Sequence, residues 1–320
     1  MKNLMKKFRF FTLFVAAFFM VLALPSKSEA AASYKLVRNI PEISNRETDA
    51  KLKVGKYYFW AECDRNYVST VYCSKSSTGA NAKKITQTLR GFSPSNMLTN
   101  GTYIWYVESE NSGYSATVCR CKMNGKSKKE YRSFSTTPGR GITLWAAYGT
   151  TVYYSIYGNK GDDTKLYSLS VKSKYGSYKK LKTAEVYTSD GGRYIYLGSK
   201  KSTTAVQVYD CKTKKTRTVK KSKGENICSF YSVKVSGSKL YFATSERDMG
   251  TYTYKIYQTS LSGKSKKTVA SGLTENPYQL DKVTSQYIYF KDFFSHGWKY
   301  DRKNNTYEKM DRTAYMQAVN

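Results

Sequence analysis

Few residues of this chain have the types and spacing that acid–base or metal chemistry requires. The single histidine, His296, lies in a loop, and a lone loop histidine is more often a surface residue than a general base or metal ligand. Two acidic pairs, Asp162 with Asp163 and Glu108 with Glu110, have spacings that suit calcium binding or paired carboxylates, but such pairs are usually solvated turn residues. No nucleophile elbow, His-rich metal motif or phosphate-binding glycine loop occurs in the sequence. We therefore expect no catalytic residue, cofactor or metal, and a protein that is not an enzyme.

The six cysteines permit disulfides in an exported protein, with fifteen possible connectivities. They are Cys63, Cys73, Cys119, Cys121, Cys211 and Cys228. Cys63 and Cys73 lie on two strands of one predicted hairpin, which makes them the best candidates for a pair. Cys119 and Cys121 point to one face of a strand and are badly placed to bond each other. The alternative is that several are buried as small apolar side chains, and a zinc site is not expected.

Lysine is concentrated in six turn regions of the sequence. These regions contain 26 Lys or Arg residues opposed by Asp301 and Glu308 alone: 74–84, 122–129, 172–182, 212–223, 264–267 and 299–309. Nine of the cations are candidate polyanion contacts: Lys126, Lys128, Lys129, Lys214, Lys215, Arg217, Lys264, Lys266 and Lys267. A lysine-rich surface suits diffuse, salt-sensitive attraction better than bidentate recognition. The alternative is that the lysines only keep an edge-rich β protein soluble.

The elements that must position these residues repeat along the chain. Six aromatic segments are variants of one strand, and equivalent positions recur at steps of 47, 48, 43, 45 and 48 residues: Tyr58, Trp105, Tyr153, Tyr196, Tyr241 and Tyr289. A period of roughly 40–50 residues with several strands per unit is typical of a propeller blade. The predicted fold class is all-β, a six-bladed β-propeller with four antiparallel strands per blade. We expect the six repeated aromatics to pack between blades, and Trp145 and Trp298, which do not recur, to be better ligand candidates.

The repeat also predicts the domain organisation. Residues 31–320 form a single propeller domain, with blades at roughly 45–90, 91–137, 138–183, 184–223, 224–271 and 272–312. The outermost strand of the sixth blade is either Thr306–Arg312 or the returning segment Tyr34–Ile40, because both cannot occupy one edge. We favour the amino-terminal segment, so that residues 31–44 supply a closing strand.

Two strand pairs carry a family resemblance. KLYFATS (239–245) with YKIYQTSLSGKSKKTV (254–269), and TYIWYVES (102–109) with VCRCKMNGKSKK (118–129), resemble the six-bladed propellers related to low-density-lipoprotein-receptor repeats. In particular they resemble a bacterial family of uncharacterised, often secreted or surface proteins, and the likeness covers residues 35 to 312. The Tyr-Trp-Thr-Asp tetrad of the receptor repeats is absent, so receptor-type ligands are not implied. The resemblance assigns no functional residue.

The first thirty residues predict a secretory signal peptide. Lys2, Lys6, Lys7 and Arg9 precede an apolar run from Phe10 to Leu24, and Ser28–Ala30 offers small residues for cleavage. The alternative, a retained membrane anchor, needs about 20 apolar residues. Removing residues 1–30 lowers the formal net charge from +31 to +27. We expect a secreted or extracellular monomer with cell-wall or surface association and no integral membrane segment after cleavage.

These observations favour a non-enzymatic binding or adhesion scaffold at the bacterial cell surface or wall. Its partner is an unidentified protein, or an anionic wall polymer or glycan that contacts the lysine-rich face; sequence-specific nucleic-acid binding is not expected. The alternative is a carbohydrate-active enzyme or glycan-binding module that uses the central channel of the less basic face. A third possibility is an assembly factor that acts through protein contacts alone.

Overall fold

Alternating tyrosine, valine, isoleucine and threonine residues favour strands throughout this chain, and strands dominate its structure. The computed structural model describes residues 33–38, 40–43, 51–65, 68–88, 96–109, 115–135, 141–157, 165–199, 202–219 and 224–319. In these residues, 27 strands pair into six sheets, numbered 1 to 6 along the chain. The predicted signal peptide, Glu110 and the Asp162–Asp163 pair lie outside the described residues. No helix in the described part of the chain is long and apolar enough to span a membrane.

Sheets 1 and 2 contain five strands each. Those of sheet 1 are β2 (Glu42–Ile43), β3 (Leu52–Val54), β4 (Tyr57–Cys63), β5 (Ser69–Ser74) and β6 (Lys83–Thr88). Those of sheet 2 are β1 (Lys35–Val37), β7 (Met97–Thr99), β8 (Tyr103–Ser109), β9 (Ser115–Lys122) and β10 (Lys129–Ser135).

Sheets 3 and 4 contain four strands each. Those of sheet 3 are β11 (Gly141–Tyr148), β12 (Thr151–Tyr157), β13 (Lys165–Ser170) and β14 (Tyr178–Thr183). Those of sheet 4 are β15 (Val186–Ser189), β16 (Tyr194–Ser199), β17 (Ser202–Asp210) and β18 (Lys215–Thr218).

Sheet 5 contains five strands and sheet 6 contains four. The strands of sheet 5 are β19 (Asn226–Ile227), β20 (Val233–Ser236), β21 (Lys239–Asp248), β22 (Thr251–Ser260) and β23 (Lys267–Leu273), with a 3-10 turn at Phe230–Ser232. Those of sheet 6 are β24 (Gln279–Val283), β25 (Tyr287–Lys291), β26 (Gly297–Asp301) and β27 (Thr306–Met310). The helix α1 (Arg312–Val319) follows. We call β3, β7, β11, β15, β20 and β24 the inner strands.

The turn between β9 and β10 in sheet 2 has the same geometry as the turn between β22 and β23 in sheet 5. Gly125 and Gly263 both have a φ of 76°. The Lys122 amide donates to the Lys126 carbonyl at 2.9 Å, and the Ser260 amide donates to the Lys264 carbonyl at 3.0 Å. These turns are the NGKSKK and SGKSKK segments of the repeat, so equal sequence spacing has produced equal local structure.

Consecutive sheets are joined by buried apolar clusters. Among the described residues, five such clusters link sheets 1 to 6 in chain order, and none links sheet 6 to sheet 1. Four of the repeated aromatics are buried between sheets, as predicted: Trp105, Tyr153, Tyr196 and Tyr241. Tyr58 and Tyr289 are only half-buried, and in sheet 1 the neighbouring Phe59 contributes to the cluster instead.

The amino-terminal segment does not take the place that we expected. The outermost strand of sheet 6 is β27, which pairs with β26, so the preference for Tyr34–Ile40 at that edge is wrong. Instead β1 pairs antiparallel with the inner strand β7, and β2 pairs parallel with β4. Val37 is fully buried and Leu36 packs against the cluster between sheets 2 and 3. An apolar strand loses more exposed surface on an inner edge than on an outer one, which favours this arrangement.

The last eight described residues form α1, which was not predicted. Its Tyr315 is buried against sheet 6, where a Cβ on Gly297 would lie 2.3 Å from the Tyr315 ring. The Tyr315 hydroxyl donates to Asp281 Oδ2 at 2.8 Å, and Lys282 Nζ donates to the Ala318 carbonyl at 2.7 Å. The helix is therefore held to the inner strand β24 of the last sheet.

All six cysteines are free thiols. The expected Cys63–Cys73 pair is wrong because Cys63 lies opposite Ser69 and Cys73 lies opposite Phe59, so the two are four strand positions apart on the hairpin. Cys119 and Cys121 do share one buried face. Burial raises the pKa of Cys73 and Cys119 to about 12, which makes these thiols unreactive.

Candidate functional site

The inner strands line a cavity of about 820 Å³, which we call the central cavity. Its walls come from β3, β15, β20 and β24, and the segment 33–38 runs along one side. The lining also includes the turn residues Gly55, Asp190 and Gly237, and Tyr231. The cavity therefore collects side chains from four sheets and from the amino-terminal segment, which no local sequence motif could reveal.

Arg38 contributes a half-buried cation to this cavity. Its Nη1 donates to the Tyr187 carbonyl at 3.3 Å, and its guanidinium lies 6.0 Å from the centroid of the Trp145 ring. Burial lowers the pKa of Arg38. Among the described residues no carboxylate forms an ion pair with it, so a partly desolvated guanidinium faces the cavity with donors to spare.

Lys234 contributes a second cation from the middle of β20. Burial lowers the pKa of Lys234; Asp281 opposes this effect, and the positive charge of Arg38 adds to it. Within the described part of the chain, the Lys234 ammonium has no hydrogen bond or ion pair. Two cations close enough to repel each other, each lacking a direct carboxylate partner, form a site suited to an anion.

Asp281 does not neutralise these cations directly because other donors occupy it. Gln279 Nε2 donates to its Oδ1 at 2.6 Å, and the Tyr315 hydroxyl donates to its Oδ2 at 2.8 Å. Lys291 Nζ lies 3.8 Å from the same Oδ2. The Asp281 carboxylate therefore bonds donors from sheet 6 and α1, and neither Arg38 nor Lys234.

Asp190 supplies an acidic group at the turn between β15 and β16. Its Oδ1 accepts from the amides of Gly192 at 2.8 Å and Tyr194 at 2.9 Å. Burial raises the pKa of Asp190, although the backbone hydrogen bonds oppose the rise. In sheet 2 the corresponding turn is one residue shorter, and the uncharged Asn100 accepts from two of its amides, those of Thr102 and Tyr103. The turn needs only an oxygen acceptor, so the charge of Asp190 has no role in the turn itself.

A row of aromatic rings leads away from the cavity. We call Tyr231, Tyr278, Phe293 and Phe294 the aromatic ribbon; consecutive ring centroids are 5.9, 5.5 and 5.7 Å apart. The Ser229 hydroxyl accepts from the Tyr231 amide and donates to the Tyr278 carbonyl, which joins the first two rings across sheets 5 and 6. Phe293 and Phe294 are 66% and 77% exposed. The ribbon is therefore an accessible apolar surface continuous with the cavity wall.

His296 lies at the far end of the ribbon, with its ring centroid 6.3 Å from that of Phe294. Its Nδ1 is 2.9 Å from Asp292 Oδ2, and Trp298 Nε1 donates to the same oxygen at 3.1 Å. Burial of Asp292 would raise its pKa, but the hydrogen bonds from Trp298 and His296 outweigh burial, and the pKa is lowered. Since this carboxylate is ionised, Nδ1 carries the proton and Nε2 is left as an acceptor on a half-exposed imidazole. The Trp145 ring therefore lies beside the cavity cation Arg38. Trp298 hydrogen-bonds Asp292, the carboxylate that is paired with His296.

None of the nine predicted polyanion contacts lines the central cavity. Three are engaged within the protein: Lys128 pairs with Glu108 and Glu130, Lys214 bonds the Tyr153 hydroxyl, and Lys266 lies over the Tyr257 ring. The other six are exposed: Lys126, Lys129, Lys215, Arg217, Lys264 and Lys267. Glu108 forms an ion pair with Lys128. Among the described residues, no group of three His, Cys, Asp or Glu could hold a metal ion.

Sequence reasoning missed Arg38, Lys234, Asp190 and Asp281. One signal was present: the alternation of Val233, Lys234 and Val235 places Lys234 on the face opposite the two valines, in a strand assigned to the inner edge. A cation on the second face of a strand predicted to be internal indicates a place to look for a site. Nothing in the sequence linked it to Arg38, nearly 200 residues away.

No protein-family model and no curated protein matches this sequence. Solved structures do resemble it. Oligopeptidase B from Leishmania major matches with a TM-score of 0.53 at 12% identity, covering 89% of this chain and 44% of that one. An oligogalacturonate lyase in complex with manganese matches with a TM-score of 0.52 at 11% identity, covering 89% and 82%. The β-propeller domain of the Trilobed protease from Pyrococcus furiosus matches with a TM-score of 0.50 at 13% identity, covering 80% and 81%.

These likenesses show that the chain has a β-propeller fold. The chain spans less than half the length of the peptidase chains that it matches. The prediction of a non-enzymatic binding or adhesion scaffold is wrong, because the similar structures are enzymes or enzyme domains. Local sequence motifs could not reveal this cavity, because its charged groups come from separate sheets. The resemblance to low-density-lipoprotein-receptor repeats stays a prediction.

Proposed function

We propose that the six sheets are the blades of a six-bladed propeller, and that the protein is a carbohydrate-active enzyme that takes an acidic sugar unit into its central cavity. One observation carries this proposal: Arg38 and Lys234 face the same cavity, are desolvated, and lack a carboxylate bonded to either. A sugar carboxylate would supply the missing charge and accept hydrogen bonds from both cations. Hydroxyl groups of the sugar would find acceptors in Asp190 and the exposed backbone of the inner strands.

The same arrangement suits elimination at a uronic acid. Cations that bind a carboxylate stabilise the negative charge that develops when the adjacent carbon loses its proton. Asp190 lies in the same cavity with a raised pKa and can accept that proton; the carbon–oxygen bond to the leaving sugar then breaks, a carbon–carbon double bond forms, and the departing oxygen takes up a proton. The oligogalacturonate lyase matches over most of both chains, whereas oligopeptidase B matches over 44% of its own length and the Trilobed protease matches through an isolated propeller domain, and this supports an acidic sugar over a peptide.

Calorimetric titration with an oligogalacturonate, and with a neutral galactose oligomer as the control, tests the binding step. We expect only the acidic oligomer to bind, and the double variant Arg38→Gln/Lys234→Met to weaken it at least tenfold, since each charge-assisted hydrogen bond contributes about 1.5–3 kcal/mol. The matched control Lys264→Gln/Lys267→Gln also removes two cations, but from an exposed turn. Equal weakening by both double variants would overturn the proposal.

Substitution of Asp190 by Asn tests the chemical step. Because Asn100 already supports the corresponding turn, this variant keeps the fold and should keep oligogalacturonate binding. We expect turnover, followed as the ultraviolet absorbance of the unsaturated product, to fall about 10²- to 10⁴-fold. Unchanged turnover would remove Asp190 from the reaction.

We also propose that the protein acts outside the cell, where acidic glycans are found, after export by residues 1–30. Mass spectrometry of the protein recovered from the medium and from washed cells would give its amino terminus and its location. An uncleaved protein confined to the cytoplasm would contradict this part of the proposal.

A further inference from the structure

The exposed pair Phe293 and Phe294 is not required by the turn that contains it. The turn between β25 and β26 is closed by Asp292, whose Oδ1 accepts from the His296 amide at 2.9 Å, and Ser295 adopts a φ of 66°. These features fix the backbone and leave the side chains at 293 and 294 free to be polar. Two adjacent phenylalanines that remain mostly in water are unfavourable for a monomer, so they indicate a surface that is covered in use.

The ribbon has a defined direction. It begins at Tyr231, which lines the central cavity, and ends beside His296. Its rings contact one another edge-to-face, at 90° between Tyr278 and Phe293 and at 85° between Phe293 and Phe294, so the ribbon presents ring faces and ring edges in turn. Aromatic faces pack against the C–H faces of sugars, while the half-exposed imidazole of His296 can exchange a hydrogen bond with a hydroxyl through Nε2. A row of aromatic platforms that ends in one fixed polar group is the arrangement that an extended oligosaccharide needs.

We infer that the aromatic ribbon binds the sugar units that extend from the central cavity, and that His296, fixed by Asp292, hydrogen-bonds the last of them. This inference rests on the proposed function, since it states where the remainder of the same acidic chain lies. The occupant is an oligosaccharide longer than the cavity can hold, not a second protein.

The single histidine makes this inference testable by NMR with ¹⁵N-labelled histidine, because one imidazole gives one set of signals. In the free protein we expect the tautomer protonated on Nδ1. A long oligogalacturonate should shift the imidazole signals, whereas a monomeric galacturonate that fills only the cavity should leave them unchanged. The Phe294→Ala variant should abolish the shift and weaken binding of the long oligomer about threefold to tenfold.

The control is Tyr175→Ala, which removes an equally exposed aromatic (68%) from the turn between β13 and β14 and should change neither result. If calorimetry shows cavity binding but the imidazole signals stay still with the long oligomer, the ribbon inference is overturned and the proposed function stands. If no acidic oligomer binds at all, the proposed function fails together with it. Equal weakening by Phe294→Ala and Tyr175→Ala would also overturn the ribbon.

Discussion

Two sets of cations in this molecule have the same charge and opposite surroundings. Arg38 and Lys234 face the central cavity, where burial lowers their pKa values. Lys264 lies in the exposed turn between β22 and β23, and Lys267 is the exposed first residue of β23. In water an exposed lysine is screened and solvated, so it interacts weakly with any one anion. A desolvated cation without a bonded carboxylate gains far more free energy from binding an anion. For anion binding, the location of the cations therefore matters more than their number.

A finer version of the same contrast exists within one turn. Lys266 Nζ lies 4.0 Å from the centroid of the Tyr257 ring, whereas its neighbour Lys267 points into solvent. Burial lowers the pKa of Lys266, and the nearby Glu225 opposes this. The lysine-rich turns therefore contain both solvated charges and a partly desolvated charge that packs on a ring of its own sheet.

The largest expected effect is on the pH dependence of ligand binding. A bound carboxylate stabilises charged Lys234, so its pKa is lower in the free protein than in the complex. Affinity for an oligogalacturonate should be constant at low pH and fall as the pH rises through the pKa of free Lys234, by up to about tenfold per pH unit. Calorimetry in two buffers should detect proton uptake in that range. In Lys234→Met this dependence of affinity on pH should vanish. If it persists, Lys234 does not differ from the exposed lysines in binding the ligand.

The next effect is on stability. Lys234→Met removes a charge that the fold desolvates, so the free energy of unfolding should increase by about 1 kcal/mol although binding weakens. The gain should be present below the lowered pKa of Lys234 and shrink as the pH rises toward the unfolded value of about 10.4, because the folded wild-type protein then holds a neutral amine. Chemical denaturation of Lys264→Met provides the control, with a change within about 0.5 kcal/mol. A destabilised Lys234→Met would show that the cation supports the fold.

The smallest effect separates neighbours in one turn. Lys266→Gln should raise the free energy of unfolding by up to about 0.5 kcal/mol, because burial lowers the pKa of Lys266 and the folded protein therefore disfavours its charge, while loss of the contact with the Tyr257 ring offsets part of the gain. Lys267→Gln should change it by less than about 0.5 kcal/mol. Thermal melts of the two variants at low and high salt would measure the difference. Identical melts would mean that both lysines are equally solvated.

Much of the fold was readable from the repeat because each sheet is built from consecutive strands. The spacing of Trp105, Tyr153, Tyr196 and Tyr241 marks buried positions, and the Gly125 and Gly263 turns share one geometry. The ends of the chain were not readable in this way. The segment 33–38 and α1 lie outside the repeat, so no equivalent position predicts where either one packs. Tyr315, in the sequence an ordinary tyrosine, is buried against Gly297.

The candidate site was much less predictable than the fold. Arg38, Asp190 and Lys234 are far apart in sequence, and each looks like an ordinary charged residue in its own segment. His296 was correctly identified as the only imidazole, but its pairing with Asp292 depends on a four-residue turn whose shape the sequence does not reveal. The aromatic ribbon likewise joins Tyr231 to Tyr278 across two sheets.

The sequence by itself determined the strands, the turns and the order in which the sheets follow one another, because these depend on local alternation and on residues that favour tight turns. Only the tertiary structure decided which charges are solvated and which are buried. Desolvation is set by what packs around a group from all directions, and for Arg38 and Lys234 those neighbours come from other sheets and from the amino-terminal segment. That is the physical reason why the chain's basic composition pointed to its exposed turns, while the structure points to its central cavity.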